Sequence, residues 1–195
     1  ENVKGILSAN NRNAFPLIIK EFENCGYTVF YKLINAVNYG VPQKRERVII
    51  VGFRSDLNVK DFSFPEPVYL NDEFVPLKTV LETDVDEKYF FSDKAVAGMM
   101  RRREKMNKGR AQDVDFPCNT VGAHLAKVSL NSTDPVLKIG ERYRRFTPRE
   151  VARIQSFPEE FKLIESETAQ YKALGNAIAP VMIWYVSKKV LSALN

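Results

Sequence analysis

With 195 residues, 45% of them hydrophobic and 27% charged, the chain can bury the core of one or two small domains and does not read as a disordered tail. No apolar run approaches membrane-spanning length, none resembles a signal peptide, and two cysteines with one histidine make neither a disulfide scaffold nor a zinc site. A soluble cytoplasmic protein is expected, and 29 Lys and Arg against 24 Asp and Glu leave a charge of +5 that favours a polyanionic partner.

The chain opens Glu1-Asn2-Val3, without an initiator methionine, so it reads as processed or as a piece of something longer. Phe15, Ile18, Ile19 and Phe22 then fall at i, i+3, i+4 and i+7, with Pro16 in a first turn and Gly26 at a stop, predicting a helix over 14–25. Residues 27–37 are β-branched and aromatic and read as a strand, followed by a turn at Asn38-Tyr39-Gly40. The apolar run 47–53 has the character of a strand buried on both faces. Prolines 65, 67 and 76 then break periodicity, and a domain boundary is placed there. A helix beginning at Ser92, with Val96, Met99, Met100 and Arg103 on one face, leads into the basic stretch 101–110, and 111–140 reads as short strands and loops.

Order returns at Thr147-Pro148-Arg149-Glu150, a capping box with proline at the first helical position. The helix it opens carries Val151, Ile154 and Gln155 and closes at Pro158. A last helix is predicted over 180–193; its apolar residues cover more than one face, so it is expected to be largely buried.

Three segments carry more fixed polar groups than a core requires. Glu1-Asn2 pairs a carboxylate with an amide, an acceptor and a donor fit for the edge of a base. In an extended 43–47, Gln43, Arg45 and Arg47 share one side, where guanidinium forks suit a phosphate, a carboxylate or a base carbonyl; the alternative is a solvated strand end. Gly175-Asn176-Ala177 precedes the last helix, where a glycine turn and an asparagine cap would present free N–H groups; an ordinary loop-to-helix junction is the alternative.

Together and in this order, these segments resemble the cytosine-5 DNA methyltransferases. ENV matches the family's glutamate motif, NYGVPQKRERVIIVGF (38–53) its Q-x-R-x-R motif, RRFTPREVARIQSFP (144–158) the segment after its target-recognition region, and YKALGNAIAPV (171–181) its last cofactor-side motif. The resemblance implies an α/β fold: the C-terminal part of a Rossmann-like methyltransferase domain in residues 1–74 and 146–195, and a small, mostly β or irregular target-recognition domain in 75–145. It also implies transfer of a methyl group from S-adenosylmethionine to carbon 5 of a cytosine flipped out of duplex DNA, in a bacterial, restriction–modification setting.

Carried over by position, Glu1 would bind the cytosine's Watson–Crick edge and Arg47 its carbonyl oxygen. Arg45 and Gln43 would brace the catalytic loop and nearby backbone, and Asn2 would help hold the Glu1 loop. Asn176 and Ala177 would lie at the methionine end of the cofactor. Thr120, in a Thr-Val pair typical of the family, would approach a DNA phosphate, joined by Arg101, Arg102, Arg103, Lys105, Lys108 and Arg110 on the basic stretch. His124 is expected to be a polar or phosphate-contacting residue rather than a base.

The family's glycine-rich cofactor loop and Pro-Cys-Gln nucleophile loop are absent from these residues. The chain alone is therefore expected to be inactive, with the N-terminal half of the same enzyme as its partner and no membrane or metal involved. A non-catalytic DNA-binding module derived from such an enzyme is the alternative. RNA binding is weaker, because the aromatics form no stacking motif.

Overall fold

The β-branched run starting at Tyr27 pairs along its whole length with the apolar run ending at Arg54, and this hairpin-like pair organises the N-terminal third. The computed structural model describes every residue except 11, 71–72, 102–110, 128–133 and 165 and the side chains of 100 and 101. Strand β1 (Asn2–Val3) is followed by helix α1 (Ala14–Asn24) and strand β2 (Tyr27–Asn35). Strands β3 (Gln43–Lys44) and β4 (Glu46–Arg54) come next. The β2–β4 register is antiparallel from Tyr27↔Arg54 to Asn35↔Glu46, and β1 lies on the other edge of β4, with Val3 opposite Arg47. Between β2 and β3 a 3-10 turn spans Ala36–Tyr39, and Gly40 closes it at φ 80°. A left-handed residue is needed there, which glycine adopts at least cost.

The middle of the chain is short elements: α2 (Asp93–Arg101), β5 (Cys118–Asn119) and the hairpin β6 (Leu137–Ile139) to β7 (Arg142–Arg144). Strand β5 pairs in parallel with β3, Gln43 opposite Cys118, so the middle region is stitched to the entrance of β4. Three helices finish the chain: α3 (Pro148–Ile154), α4 (Glu167–Asn176) and α5 (Pro180–Leu194).

Two cores result. Ile34, Ile49 and Phe64 pack with Met182 and Val186 of α5, and Leu77, Val121, Leu125 and Leu137 pack with Phe146, Val151, Ile154, Tyr171 and Leu174. The helices α3 and α4 therefore carry the hydrophobic floor of the middle region, while α5 lies on the three-stranded sheet. The architecture is mixed α/β.

Several expectations need correction. Strand β2 stops at Asn35, whose side chain accepts from the Val37 and Arg45 amides and turns the chain. Helix α1 buries only Phe15, against the edge of the Tyr31 ring, and Phe22 stays exposed. Helix α5 buries only Met182 and Val186; it has a single sheet face to lie on, so Trp184, Leu191 and Leu194 remain exposed. Helix α4 lies where the sequence reading places no helix, and the stretch Glu167–Leu194 is long and apolar enough to cross a membrane by length and composition. It is two helices, however, broken at residues 177–179.

The capping box at α3 forms as expected: Thr147 accepts from the Glu150 amide and Glu150 from the Thr147 amide. Glu150 does more than cap. Its carboxylate takes both Nη atoms of Arg144 at 2.7 Å and the amide of Glu82 at 3.0 Å, and both charged side chains are almost fully buried. One carboxylate thus joins the entry and exit of the middle region to a helix start. Replacing Arg144 with leucine strands that carboxylate without its counter-charge, and the expected loss is about 3–5 kcal/mol in denaturant unfolding. Arg142→Ala, which breaks the solvent-exposed pair with Glu87, should shift the same curve far less.

Candidate functional site

The entrance to β4 alternates in burial as an extended chain must: Gln43 and Arg45 are buried, while Lys44 and Glu46 are exposed. Gln43 spends its whole amide on distant backbone and side chain. Its Nε2 donates to the Ile154 carbonyl at 3.2 Å and to Gln155 Oε1 at 2.8 Å, and its Oε1 accepts from the Val121 amide at 3.1 Å. Arg45 donates to three carbonyls: Val121 at 3.2 Å, Gly175 at 3.1 Å and Ala177 at 2.9 Å. Burial, with help from nearby Arg47 and against the pull of Glu1, pushes the Arg45 guanidinium down to about 10. It stays charged at neutral pH, and a buried charge that is hydrogen-bonded is tolerable where an unpaired one is not.

Two residues on, Arg47 lies on the same face but reaches the rim. Its Nε meets Glu1 Oε1 at 2.7 Å and its Nη1 donates to the Glu46 carbonyl at 2.8 Å. Pairing of Val3 with Arg47 across β1 and β4 brings the chain's first residue to this point. Asn2 accepts from the Val3 amide through Oδ1, within the strand that carries Glu1 at its end. Arg47 Nη2 has no hydrogen bond among the described residues.

The third segment differs from its expected geometry. Gly175 does not make a turn; it lies in the last turn of α4, where a Cβ would stand 2.2 Å from the Gly122 carbonyl carbon and 2.3 Å from the Ala123 nitrogen. Glycine is required for close approach of two backbones, not for φ. Asn176 likewise ends α4 rather than capping α5, whose N-cap is Ala179. The carbonyls around it are all claimed, Leu174 by Gln155 Nε2 at 2.6 Å and Gly175 and Ala177 by Arg45. The exposed Asn176 side chain has no hydrogen bond among the described residues. Its backbone is fixed and its amide is available.

Thr120 is exposed, and its hydroxyl donates to the Lys44 carbonyl at 2.6 Å. Arg101 ends α2, and Arg102, Arg103, Lys105, Lys108 and Arg110 lie outside the described residues. His124 is exposed on the turn that rests on α4, and its carbonyl accepts from the Lys127 amide. Cys118 is fully buried, its thiol donating to the Asn119 carbonyl at 2.8 Å, and burial pushes that thiol well above its ordinary range. Such a sulfur is a poor nucleophile, since the thiolate is the reactive form. Cys25 is exposed at the end of α1. Among the described residues no group of three or more His, Cys, Asp or Glu could hold a metal ion.

Comparison with known proteins gives this geometry a family. Residues 1–192 match the model for the C-5 cytosine-specific DNA methylases. The chain belongs to that family. It is 36% identical to the Type II methyltransferase M.FnuDI of Fusobacterium nucleatum, over all of this chain and 64% of that protein. It is 38% identical to M.BsuFI of Bacillus subtilis, over 94% of this chain and 44% of the relative. In fold it is similar to the S. pombe Dnmt2 methyltransferase, with a TM-score of 0.74 at 19% identity, covering 100% of this chain and 64% of that one. The chain thus spans about half to two-thirds of the length of these methylase relatives.

Sequence reasoning missed Gln155, Ser156 and Arg144 as parts of the junction. Gln155 left a signal, a polar residue four after Val151 on the buried side of a helix. Arg144 left none, because its partner is defined only by the folded hairpin. The Gly122–Gly175 contact makes a sharp prediction. Gly175→Ala should lower stability by about 1–3 kcal/mol in thermal or urea unfolding, as two backbones are forced apart. Gly5→Ala, with nothing within 4 Å, is the control that should not.

Proposed function

We propose that this chain supplies the base-polarising and DNA-reading part of a bacterial, cytoplasmic DNA cytosine-5 methyltransferase, with residues 75–145 as the recognition lobe and the rest as part of the catalytic domain. The observation that carries the reading is the Glu1–Arg47 ion pair, set at the start of β4 with a guanidinium nitrogen still free. Cytosine places a protonatable ring nitrogen beside a carbonyl oxygen. Glu1 would engage the nitrogen, and Arg47 Nη2 would donate to the oxygen, where negative charge grows as a nucleophile adds to the ring. A donor fixed before the reaction needs no reorganisation when that charge appears.

The Asn176 segment fits the polar end of S-adenosylmethionine, because a free amide on an immobilised backbone suits an amino-acid carboxylate or ammonium. That cofactor supplies an electrophilic methyl group when bound. Asn176 and Ala177 would orient it, with the remainder of its site formed by the N-terminal half of the enzyme. Double-stranded DNA is the proposed substrate, approached through Thr120 and the basic residues 101–110, and extrusion of the target base is required because its reacting face is stacked in the duplex.

Neither Cys25 nor Cys118 is placed to act as the nucleophile, so the purified chain should transfer no methyl group to duplex DNA. Mixed with the N-terminal half, it should restore transfer of radiolabelled methyl from S-adenosylmethionine. In that mixture Glu1→Gln and Arg47→Met should each lower the rate by about a hundredfold or more. Methylation by the chain alone would contradict this account, and continued silence after mixing would favour a DNA-binding module without catalysis. DNA affinity should also fall steeply as salt rises, because phosphate contacts release counterions. Affinity that is flat with salt would remove the basic segment from the DNA face.

A further inference from the structure

Ser156 stands immediately after the α3 C-cap with φ 65°, one of four non-glycine residues with positive φ among the described residues. Its amide donates to the Arg153 carbonyl and that of Phe157 to the Ala152 carbonyl, both at 2.9 Å, the bond pair of a Schellman ending. Glycine is the residue such a position ordinarily takes. Serine gives up that backbone ease and gains one contact: its Oγ accepts from the amide of Val181 at 3.1 Å. Val181 is the second residue of α5, and the α5 N-cap, Ala179, has no side chain able to satisfy it. A hydroxyl from the end of α3 therefore caps α5 from across the fold.

The segment between α4 and α5 includes Asn176 and Ala177, and its other fixed points are on its α4 side and at Ala177: Gln155 on Leu174, and Arg45 on Gly175 and Ala177. Ser156 is the tether at the α5 side. We propose that Ser156 is a positioning residue for the cofactor, fixing where α5 starts and so the placement of residues 176–179 that face the methionine end. This rests on the functional reading above and extends it to a residue that touches no reactant.

The test compares Ser156→Gly and Ser156→Thr with wild type in the complete enzyme. Glycine relieves the backbone and removes the hydroxyl; threonine keeps the hydroxyl and worsens the backbone, being β-branched. For Ser156→Gly, the melting temperature should hold or rise. Its Val181 amide should exchange faster in the cofactor-free enzyme, and the Kd for S-adenosylmethionine by calorimetry should rise about three- to tenfold, the span expected of one hydrogen bond. For Ser156→Thr, the melting temperature should fall while Val181 protection and cofactor Kd stay near wild type. A purely structural role predicts the reverse ordering. Wild-type cofactor affinity and unchanged Val181 exchange in Ser156→Gly would overturn the proposal. A wild-type enzyme that binds no S-adenosylmethionine would instead overturn the functional reading, and this role for Ser156 with it.

Discussion

The buried pair Gln43 and Arg45 is the constraint on which the rest of the site depends. Two long polar side chains enter the junction between the two cores, and neither could stay there without partners, since an unpaired buried donor costs more than a made bond returns. Their partners come from three separate places: the turn at Val121, the end of α3, and the α4–α5 segment. The middle region, the helices and the sheet are thereby held in one arrangement by two side chains within three consecutive residues.

Strand geometry then divides the labour. Alternation along 43–47 sends Gln43 and Arg45 inward, and Arg47, on the next inward-facing position, reaches the rim, where β1 delivers Glu1. The Glu1–Arg47 pair is thus anchored to the same five residues that join the Val121 turn to the Asn176 segment. Contact between Gly122 and Gly175 tightens the same joint, backbone against backbone. A displacement at the Thr120 side has few ways to relax except through Arg45 and Gly175, the groups that fix the α4–α5 segment. The network Arg144–Glu150–Thr147–Glu82 plays a comparable part at the other end of α3, joining both ends of the middle region to the start of that helix.

What could be read from the sequence was whatever local chemistry determines. The Thr147–Glu150 capping box, Pro148 at the helix start, α1 ending before Gly26 and the β2 and β4 runs depend on neighbours within a few residues, and they stand as expected apart from small shifts of boundary. The misses share a cause, partners far along the chain. Gly175 reads as a turn glycine until Gly122, 53 residues earlier, is packed against it. Helix α4 has no clear apolar stripe, and its burial comes from Tyr171 and Leu174 meeting the middle region. Arg45 could equally have been a solvated strand end; three carbonyls from two remote segments decide otherwise. The family motifs located the candidate residues, but only the fold shows that Arg45 and Gln43 are joints while Arg47 pairs with Glu1 at the rim.

The most direct test of this account is amide hydrogen exchange on Arg45→Met, a substitution of similar length that removes the guanidinium. If Arg45 is the joint, the segments 119–125 and 174–179 should lose protection together and to a similar extent, while the β2–β4 register keeps its own. Loss confined to one segment, or protection unchanged in both, would contradict the claim that one buried guanidinium holds the Val121 turn and the α4–α5 segment in place.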